Sequence, residues 1–376
     1  MNIGDYLKVL IEKGGSDLHL KVGRPPLMRI QGELLPSEYP PIKKEEIKNL
    51  LFPMLTEMQI KKLEEERELD FSYLVEGLAR FRGNIFHQMG SLGAVFRVIP
   101  VEIKTIEQLH LPPVLKELVF RNQGVILVTG PTGSGKSTTL AAMIDYLNES
   151  RSHHIITVED PVEFVHKDKK CVINQREIGF DTRSFSEALR RALRQDPDVI
   201  LVGEMRDPET ITIAMTAAET GHLVFSTLHT NDAKQSIDRI IDTFSPEQQH
   251  QVRMQLAMTL LATISQRLIK RSDGSGRVAV VEVMINTPTI RKMIEDGKTG
   301  GIDKAIHDSA SLYKMQTMNQ DLFRLVKERG ITKEDALSFS NNPNDLRIMF
   351  QTEMPGSPPT SSPQKPSGLE GRYGKF

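Results

Sequence analysis

One eight-residue segment, residues 130–137, has the composition of a phosphate-binding loop. It reads Gly-Pro-Thr-Gly-Ser-Gly-Lys-Ser and matches the pattern G-x-x-x-x-G-K-[ST] at every fixed position. The glycines let backbone N–H groups curl around phosphate oxygens, and the start of the following helix adds the positive end of its dipole. In this motif Lys136 reaches the β- and γ-phosphates, and the Ser137 hydroxyl binds Mg²⁺. We therefore predict an ATP–Mg²⁺ site formed by Gly130, Pro131, Thr132, Gly133, Ser134, Gly135, Lys136, Ser137 and Thr138.

Two acidic residues, Glu163 and Glu204, could supply the chemistry of hydrolysis. That reaction needs one carboxylate to orient the attacking water and another to hold the metal, partly through water. Each of these residues follows an apolar run of strand length. The usual position of the Walker B aspartate is occupied by Gly203, so Glu204 would take the metal role of that strand.

These residues can meet only if the runs before them belong to one sheet. Continuous apolar strands separated by helices predict a parallel sheet that is covered on both faces, and hence an α/β fold. The carboxyl ends of parallel strands share one edge, where ligands bind. The phosphate loop and both glutamates would therefore converge there. The predicted strands are residues 125–129, 154–158, 199–203 and 222–227, and the helix after the loop spans residues 137–148.

Two histidines, His222 and His229, bracket the apolar run 223–227. A lone histidine is usually structural, and neither the spacing nor the neighbours offer the further ligands that a metal site requires. The residues alone leave open whether either histidine contacts nucleotide.

Residues 1–100 mix helical and strand patterns. Interleaved helices and antiparallel strands of this number predict a small α+β domain. The predicted elements are a helix at 3–13, strands at 17–22 and 27–31, a helix at 56–66, and strands at 69–75, 79–88 and 92–99.

The remaining boundaries follow from prolines and composition. Residues 101–113 predict a linker, residues 114–286 the ATPase core, and residues 287–350 a helical region. Residues 351–376 are rich in Pro, Ser and Gly without apolar periodicity, which predicts a disordered tail.

The composition is that of a globular protein of 376 residues, long enough for two domains with their own cores. A formal net charge of -1 argues against a globally basic nucleic-acid binder. The single cysteine, Cys171, cannot form an intramolecular disulfide, which is typical of a reducing cytosol. There is no signal-peptide pattern and no apolar run near the ~20 residues that span a bilayer. We therefore expect a cytoplasmic protein.

Taken together, several motifs resemble the secretion-ATPase superfamily, and closely the type IV pilus retraction ATPases of the PilT type. Besides the Walker A loop, residues 156–163 resemble the family's Asp box, residues 196–207 its atypical Walker B motif, and residues 218–231 its His box. Residues 14–19 and 79–82 also look like this family. The similarity extends over residues 1–350. One departure is Thr-Ile-Arg-Lys-Met-Ile at residues 289–294, where retraction motors carry Ala-Ile-Arg-Asn-Leu-Ile.

The resemblance implies roles for individual residues. Glu163 would be the catalytic glutamate that polarises water, and Glu204 would help to organise Mg²⁺. His222 and His229 would sense the nucleotide and couple it to the domain interface. Arg82 and Arg97 match the arginines that neutralise phosphate charge, with Arg80 a weaker candidate. A planar guanidinium suits that task because it can bind phosphate oxygens bidentately.

The resemblance also implies an assembly: a PAS-like N-terminal domain, a RecA-like ATPase domain and a homohexamer that powers pilus retraction. Its partners would be an inner-membrane platform protein and a paralogous retraction ATPase, at the inner face of the cytoplasmic membrane. An accessory retraction paralogue remains open. So does another secretion or pilus-assembly ATPase, although such assembly motors normally carry a tetracysteine zinc site and an extra N-terminal domain.

Two further alternatives are less favoured by the residues. A nucleotide-gated regulatory module that hydrolyses slowly would not need Lys136, Glu163 and Glu204 together. A nucleic-acid translocase would need a basic stretch with interleaved aromatic residues, which the sequence lacks. We therefore expect no nucleic-acid partner.

Overall fold

The computed structural model describes residues 2–30, 32–99 and 102–353 of the chain. Their strands form a six-stranded sheet and a seven-stranded sheet. Residues 354–376, most of the predicted tail, lie outside the described residues, as do Pro100 and Val101 at the start of the predicted linker.

The six-stranded sheet is antiparallel at every pairing, as predicted. The elements of this region are α1 (Ile3–Glu12), β1 (Gly15–Lys21), β2 (Leu27–Ile30), β3 (Glu33–Pro36), α2 (Lys44–Leu51), a 3-10 helix (Phe52–Met54), α3 (Glu57–Glu66), β4 (Glu68–Val75), β5 (Ala79–Gln88) and β6 (Ser91–Ile99). The strand order is β3-β2-β1-β6-β5-β4. Strand β3 and helix α2 were not predicted.

The core of this sheet follows from alternation along its strands. Phe81 and Ile85 of β5 are fully buried and pack with Phe96 of β6, whereas Arg82 between them is exposed. Leu7 and Leu10 of α1 complete the same cluster. One face of the sheet is therefore apolar and buried, and the other carries polar side chains.

The seven-stranded sheet is the α/β part of the fold. The elements around it are α4 (Leu115–Leu118), β7 (Gly124–Thr129), α5 (Lys136–Ser150), β8 (His154–Glu159), β9 (Val172–Glu177), α6 (Phe185–Ala192), β10 (Val199–Val202), α7 (Pro208–Glu219), β11 (Leu223–Leu228), α8 (Ala233–Asp242), α9 (Pro246–Thr259), β12 (Leu260–Lys270) and β13 (Arg277–Ile285). The order is β13-β12-β7-β11-β10-β8-β9, and the pairs from β12 through β9 are parallel.

Both faces of this sheet are buried, which confirms the parallel, doubly covered arrangement. Val125 and Leu127 of β7 belong to one hydrophobic core, and Ile126 and Val128 belong to the core on the opposite face. Helices α7 and α8 supply the first core, and α5 supplies the second. A strand buried on both faces must be apolar throughout, as the sequence pattern indicated.

Residues 102–113, predicted as a linker, contain no helix or strand. Ile106 and Leu111 are nevertheless buried in the core that contains Ile126. The segment is therefore packed against the ATPase sheet and does not behave as a solvated spacer.

The helical character predicted for residues 287–350 is confirmed. The elements are α10 (Pro288–Glu295), a 3-10 helix (Thr299–Gly301), α11 (Ile302–Asp308), α12 (Ala310–Tyr313), α13 (Met318–Lys327), α14 (Lys333–Phe339) and α15 (Pro343–Glu353). Because α15 continues to Glu353, placing residues 351–353 in a disordered tail was wrong. The buried Phe350, which packs against Phe323, holds that last turn. Among the described residues, no helix has the length and apolarity needed to cross a membrane.

Contacts divide the chain into two compact units. The first comprises Met1–Leu268 and Val278–Thr317 and contains all of β1 to β11 and most of β12 and β13. The described part of the second comprises residues 269–277 and 318–353, in which α13, α14 and α15 pack on one another.

Candidate nucleotide site

The register of the parallel strands brings the predicted site residues to one edge of the sheet. Thr129 at the end of β7 lies opposite Leu228 of β11, and Val202 of β10 lies opposite both Ser226 and Val158. The segments that follow these strands therefore start side by side. They are the phosphate loop, the segment with Glu163, the segment with Glu204, and the segment that begins at His229.

The phosphate loop has a backbone that strongly favours glycine at three positions. Gly130, Gly133 and Gly135 have φ angles of 146°, 78° and 89°. A Cβ atom on Gly130 would lie 2.3 Å from the carbonyl oxygen of Gln266 and 2.5 Å from the Ser134 hydroxyl. The loop thus presents main chain to the site, and α5 begins directly after it, as an anion-binding loop requires.

Lys136 is held against the loop. Its Nζ donates hydrogen bonds to the carbonyl oxygens of Gly130 (2.9 Å) and Pro131 (3.3 Å). Burial lowers the pKa of Lys136, while the carboxylates of Glu204 and Glu163 act to raise it. Both predicted glutamates therefore lie close enough to influence the ammonium group.

The loop is fastened from the neighbouring strand by a residue that the sequence analysis missed. Gln266 of β12, 1% exposed, donates from Nε2 to the carbonyl oxygen of Ser134 (2.6 Å). Its Oε1 accepts from the Thr139 hydroxyl (2.8 Å) in the first turn of α5. The sequence signal was weak because the same segment also contains Thr263, Ser265 and Arg267, although a polar amide needs partners when it is buried.

Glu204 is held by two basic side chains. Its Oε2 is 2.7 Å from Nη2 of Arg206 and 3.4 Å from Nε2 of His229, and its side chain is only 18% exposed. Arg206 was not singled out from sequence. The Glu204 carboxylate and the Ser137 hydroxyl are hard oxygen donors of the kind that Mg²⁺ binds, and this ion commonly takes one or two protein ligands beside water and phosphate.

Glu163 lies exposed in the loop that follows β8. This loop is tied to the sheet through Glu159, which accepts hydrogen bonds from the Thr157 hydroxyl (2.7 Å) and Gln175 Nε2 (3.2 Å), and from the backbone of Glu163. Burial raises the pKa of Glu159, and these hydrogen bonds oppose the increase. Glu163, the catalytic candidate, is therefore exposed, whereas Glu159 is partly buried and holds the backbone of the loop.

Arg82 and Arg97 are direct neighbours on the polar face of the six-stranded sheet, on paired positions of β5 and β6. Nε of Arg97 donates to the buried carboxylate of Asp17 (2.7 Å), yet 70% of the Arg97 side chain stays exposed. Arg82 is 49% exposed and lies 4.0 Å from Asp70. Neither guanidinium is buried, so both can reach a ligand on this face.

Arg80, the weaker phosphate candidate of the three arginines, is engaged in an ion pair. Its Nη2 donates to Glu177 of β9 over 2.9 Å, and its side chain is 23% exposed. Within the chain, Arg80 is therefore an ion-pair partner between the two sheets, and its contact with phosphate stays a prediction.

The two histidines lie at opposite ends of β11. His229 follows the strand and contacts Glu204, whereas His222 precedes it and bonds through Nδ1 to the carbonyl oxygen of Ala217 (2.9 Å). Six residues of strand separate them, about 20 Å of chain. Within one chain, the structure does not bring His222 to the phosphate-loop edge.

A doubly covered parallel sheet with a complete phosphate loop and acidic residues at the same edge defines a P-loop nucleotide-binding protein. Residues 99–338 match the family model described as type II/IV secretion system protein. The chain belongs to this family.

Several known proteins are similar to the chain over most of its length. The type IV pilus retraction ATPase PilT of Pseudomonas aeruginosa is 50% identical over 92% of this chain and 100% of PilT. The type IV pilus ATPase PilU of the same organism is 41% identical over 93% of this chain and 92% of PilU. A crystal structure of the pilus retraction motor PilT with bound ADP aligns with a TM-score of 0.86 at 49% identity, covering 93% of this chain and 100% of that one.

Proposed function

We propose that this chain is an ATP-hydrolysing motor that powers type IV pilus retraction. The observation that carries the proposal is the shared edge of the parallel sheet, at which the complete phosphate loop and the segments with Glu163 and Glu204 follow β7, β8 and β10, respectively. The 50% identity, which extends over the whole length of PilT, supports a role in pilus retraction.

The residues divide the hydrolysis between them. The loop amides and Lys136 bind the phosphates of ATP, with Ser137 and Thr138 at the helix start. The Glu163 carboxylate accepts a hydrogen bond from the water that attacks the γ-phosphorus, and the bond from that phosphorus to the ADP oxygen breaks. Mg²⁺ held by Ser137 and Glu204, partly through water, would neutralise charge that develops on the phosphates.

Arginines of the six-stranded sheet would complete the site when it closes. Arg82 and Arg97 share the face that carries Arg80, which already contacts β9 of the ATPase sheet. Their charge would favour a closed state in which γ-phosphate is present, because a ligand shifts an equilibrium only through differential affinity. Hydrolysis would then release the closed state and produce a cycle of domain movement.

The assembly follows by similarity. We expect a homohexamer that acts on an inner-membrane platform protein of the pilus machine from the cytoplasmic side. The N-terminal domain of residues 1–100 and the ATPase core of residues 114–286 would be the moving parts, joined by residues 101–113.

An accessory retraction ATPase is the second candidate, because PilU is 41% identical over nearly the same length. The departure at residues 289–294 keeps Ile290 and Ile294 buried in the core, and Met293, one of the changed positions, still packs against that core. A partner of the accessory form would be a paralogous retraction ATPase.

The deciding experiment is Mg²⁺-dependent ATP turnover by the purified chain, with oligomer mass recorded on the same samples. Lys136→Ala should abolish turnover in an intact hexamer, and Lys62→Ala on the exposed surface of α3 is the matched control. Restored twitching in a retraction-deficient strain would support the retraction motor. A folded wild-type hexamer without turnover would overturn it in favour of the accessory form.

A further inference from the structure

Glu177, at the end of β9, is a buried carboxylate that lies between the two sheets. Only 6% of its side chain is exposed. The Ser72 hydroxyl of β4 lies 2.8 Å from Oε1 and 2.9 Å from Oε2, and Arg80 of β5 donates to Oε2 over 2.9 Å. The backbone N–H of Val162 also donates to Oε2, over 3.2 Å. Oε2 thus receives a donor from the six-stranded sheet and a donor from the residue next to Glu163.

We propose that Glu177 is a positioning residue that makes the placement of Glu163 depend on contact between the six-stranded sheet and β9. This inference rests on the proposed role of Glu163 in hydrolysis. Glu177 itself touches neither the phosphate loop nor Lys136 in any contact of the described residues, so its effect on turnover would be indirect.

The loop that carries Glu163 is fastened from β9 on both sides. On the far side, Gln175 donates to the carbonyl oxygen of Phe164 (2.8 Å) and accepts from the N–H of His166 (2.8 Å). On the near side, the fastening is the bond from Val162 to Glu177. Gln175 is a neutral amide whose bonds stay within the ATPase sheet and its loop, whereas Glu177 is charged and shared with the other sheet.

Because of this difference, the bond from Val162 to Glu177 depends on contact with the six-stranded sheet. A buried carboxylate is tolerated only while charge-assisted hydrogen bonds compensate its lost hydration. If Ser72 and Arg80 moved away, Glu177 would lose its cationic partner, and the single backbone bond from Val162 would not compensate the buried charge. Glu177 would then turn toward water and release Val162, and Glu163 would lose its fixed position. Small misplacements of a catalytic group can cost about 100-fold in rate.

The consequence is a control on hydrolysis that is separate from phosphate binding. ATP would still bind at residues 130–137 when the sheets are apart, because no contact of the phosphate loop in the described part of the chain involves Glu177. Turnover would be fast only when Arg80 is seated on Glu177. The role also explains why Arg80 is turned toward β9 although Arg82, two residues along the same strand, is exposed.

The test compares kcat and KM for ATP in hexamers of Glu177→Gln, Arg80→Ala and the double variant. We expect each single variant to lower kcat roughly 10-fold with KM changed less than two-fold, and the double variant to be no slower than the slower single one. Arg80→Lys, which keeps the charge, should recover at least half of the lost rate. The exposed pair Lys61 and Glu65 of α3 provides the matched control, as Lys61→Ala and Glu65→Gln.

A further variant and a reference separate the outcomes. Ser72→Ala removes one donor to Glu177 without leaving a charge unpaired, and we expect it to lower kcat as well. This variant provides the test if Glu177→Gln does not assemble into a hexamer. The positioning role would be overturned if the folded Glu177→Gln and Arg80→Ala variants kept the wild-type kcat, or if their losses simply added in the double variant. An inactive Glu163→Gln would show that the proposed role of Glu163 still holds in that case. If Glu163→Gln itself kept its turnover, the proposed role of Glu163 would fail, and the inference with it.

Discussion

The side-chain amide of Gln266 bridges the carbonyl oxygen of Ser134 and the hydroxyl of Thr139, at 2.6 Å and 2.8 Å. It thereby joins the phosphate loop to the first turn of α5 from a neighbouring strand. Because Gln266 is almost fully buried, water cannot replace either bond readily. The shape of the loop therefore depends on β12 as well as on its own glycines.

Replacing Gln266 by Leu should weaken ATP binding. The loss of both bonds leaves a buried carbonyl and a buried hydroxyl without this partner, which costs about 1–2 kcal/mol, or roughly ten-fold in affinity. Titration with a fluorescent ATP analogue measures the change directly. Gln251→Ala on the exposed side of α9 is the control, and equal affinity of Gln266→Leu and wild type would show that the bridge is dispensable.

Restoring an aspartate at the Walker B position should damage the protein. A Cβ atom on Gly203 would lie 3.2 Å from the carbonyl oxygen of Val158 and 3.3 Å from Cα of Glu159, both in the backbone of the adjacent strand. We expect Gly203→Asp and Gly203→Ala to lose about 1–3 kcal/mol of stability from overcrowding, and neither to gain turnover. Thermal unfolding and ATPase rates provide the measurement.

The control for that prediction is Gly300→Ala, where an added Cβ atom would have no neighbour within 4 Å. If Gly203→Asp were as stable as Gly300→Ala and more active than wild type, the close packing between β8 and β10 would not require glycine at position 203.

The parts of the fold that could be predicted are those with a periodic or fixed pattern. β7, β10 and β11 are apolar at nearly every position because both faces are buried, so their sequence alone distinguishes them from amphipathic helices and half-exposed strands. The phosphate loop was recognisable because its glycines are needed for positive φ angles. The shared sheet edge then followed from parallel pairing, without knowledge of the strand order.

The missed strands explain which site residues were missed. β12 is mostly buried, yet it contains the polar residues Thr263, Ser265 and Gln266, and the partners of Ser265 and Gln266 are supplied by other elements of the fold. The sequence of β12 therefore does not look like that of a buried strand. β9 is an edge strand with mostly half-exposed polar residues and lacks an apolar run. Gln266 and Glu177 could not be assigned a role because Ser134, the partner of Gln266, and Arg80, the partner of Glu177, are more than 90 residues away in sequence.

The two histidines of the His box should respond differently to substitution. His229 lies 3.4 Å from Glu204, so His229→Ala removes one of two basic neighbours of the proposed metal-organising carboxylate. We expect roughly ten-fold slower turnover and a higher Mg²⁺ requirement. His222 lies at the other end of β11, and His222→Ala should leave affinity for ATP within two-fold of wild type. Mg²⁺ titrations of turnover and nucleotide-binding isotherms test both statements.

A loss of ATP affinity in His222→Ala at unchanged oligomer mass would contradict this placement. It would instead favour the role that family resemblance implies for His222, with nucleotide contacted from outside the phosphate-loop edge of its own chain.

Acid should destabilise the protein through His166, in the loop that follows Glu163. Burial lowers the pKa of His166 from 6.5 to about 4; Asp145 opposes this change and Lys169 adds to it. Nδ1 of His166 is buried and has no hydrogen-bond partner among the described residues. Because the folded pKa lies below the unfolded one, the stabilisation is complete above pH 6.5 and is lost as the pH falls toward 4.

Between pH 7.5 and 5.0, His166 should therefore account for a loss of about 2 kcal/mol in the free energy of unfolding. Urea unfolding at both pH values measures the loss, and His166→Gln should show a correspondingly smaller one because glutamine does not titrate. His250→Gln on the exposed surface of α9 is the control. If wild type and His166→Gln lost the same stability, the proton would bind elsewhere. If they differ as expected, protonation of His166 accounts for that part of the stability lost in acid.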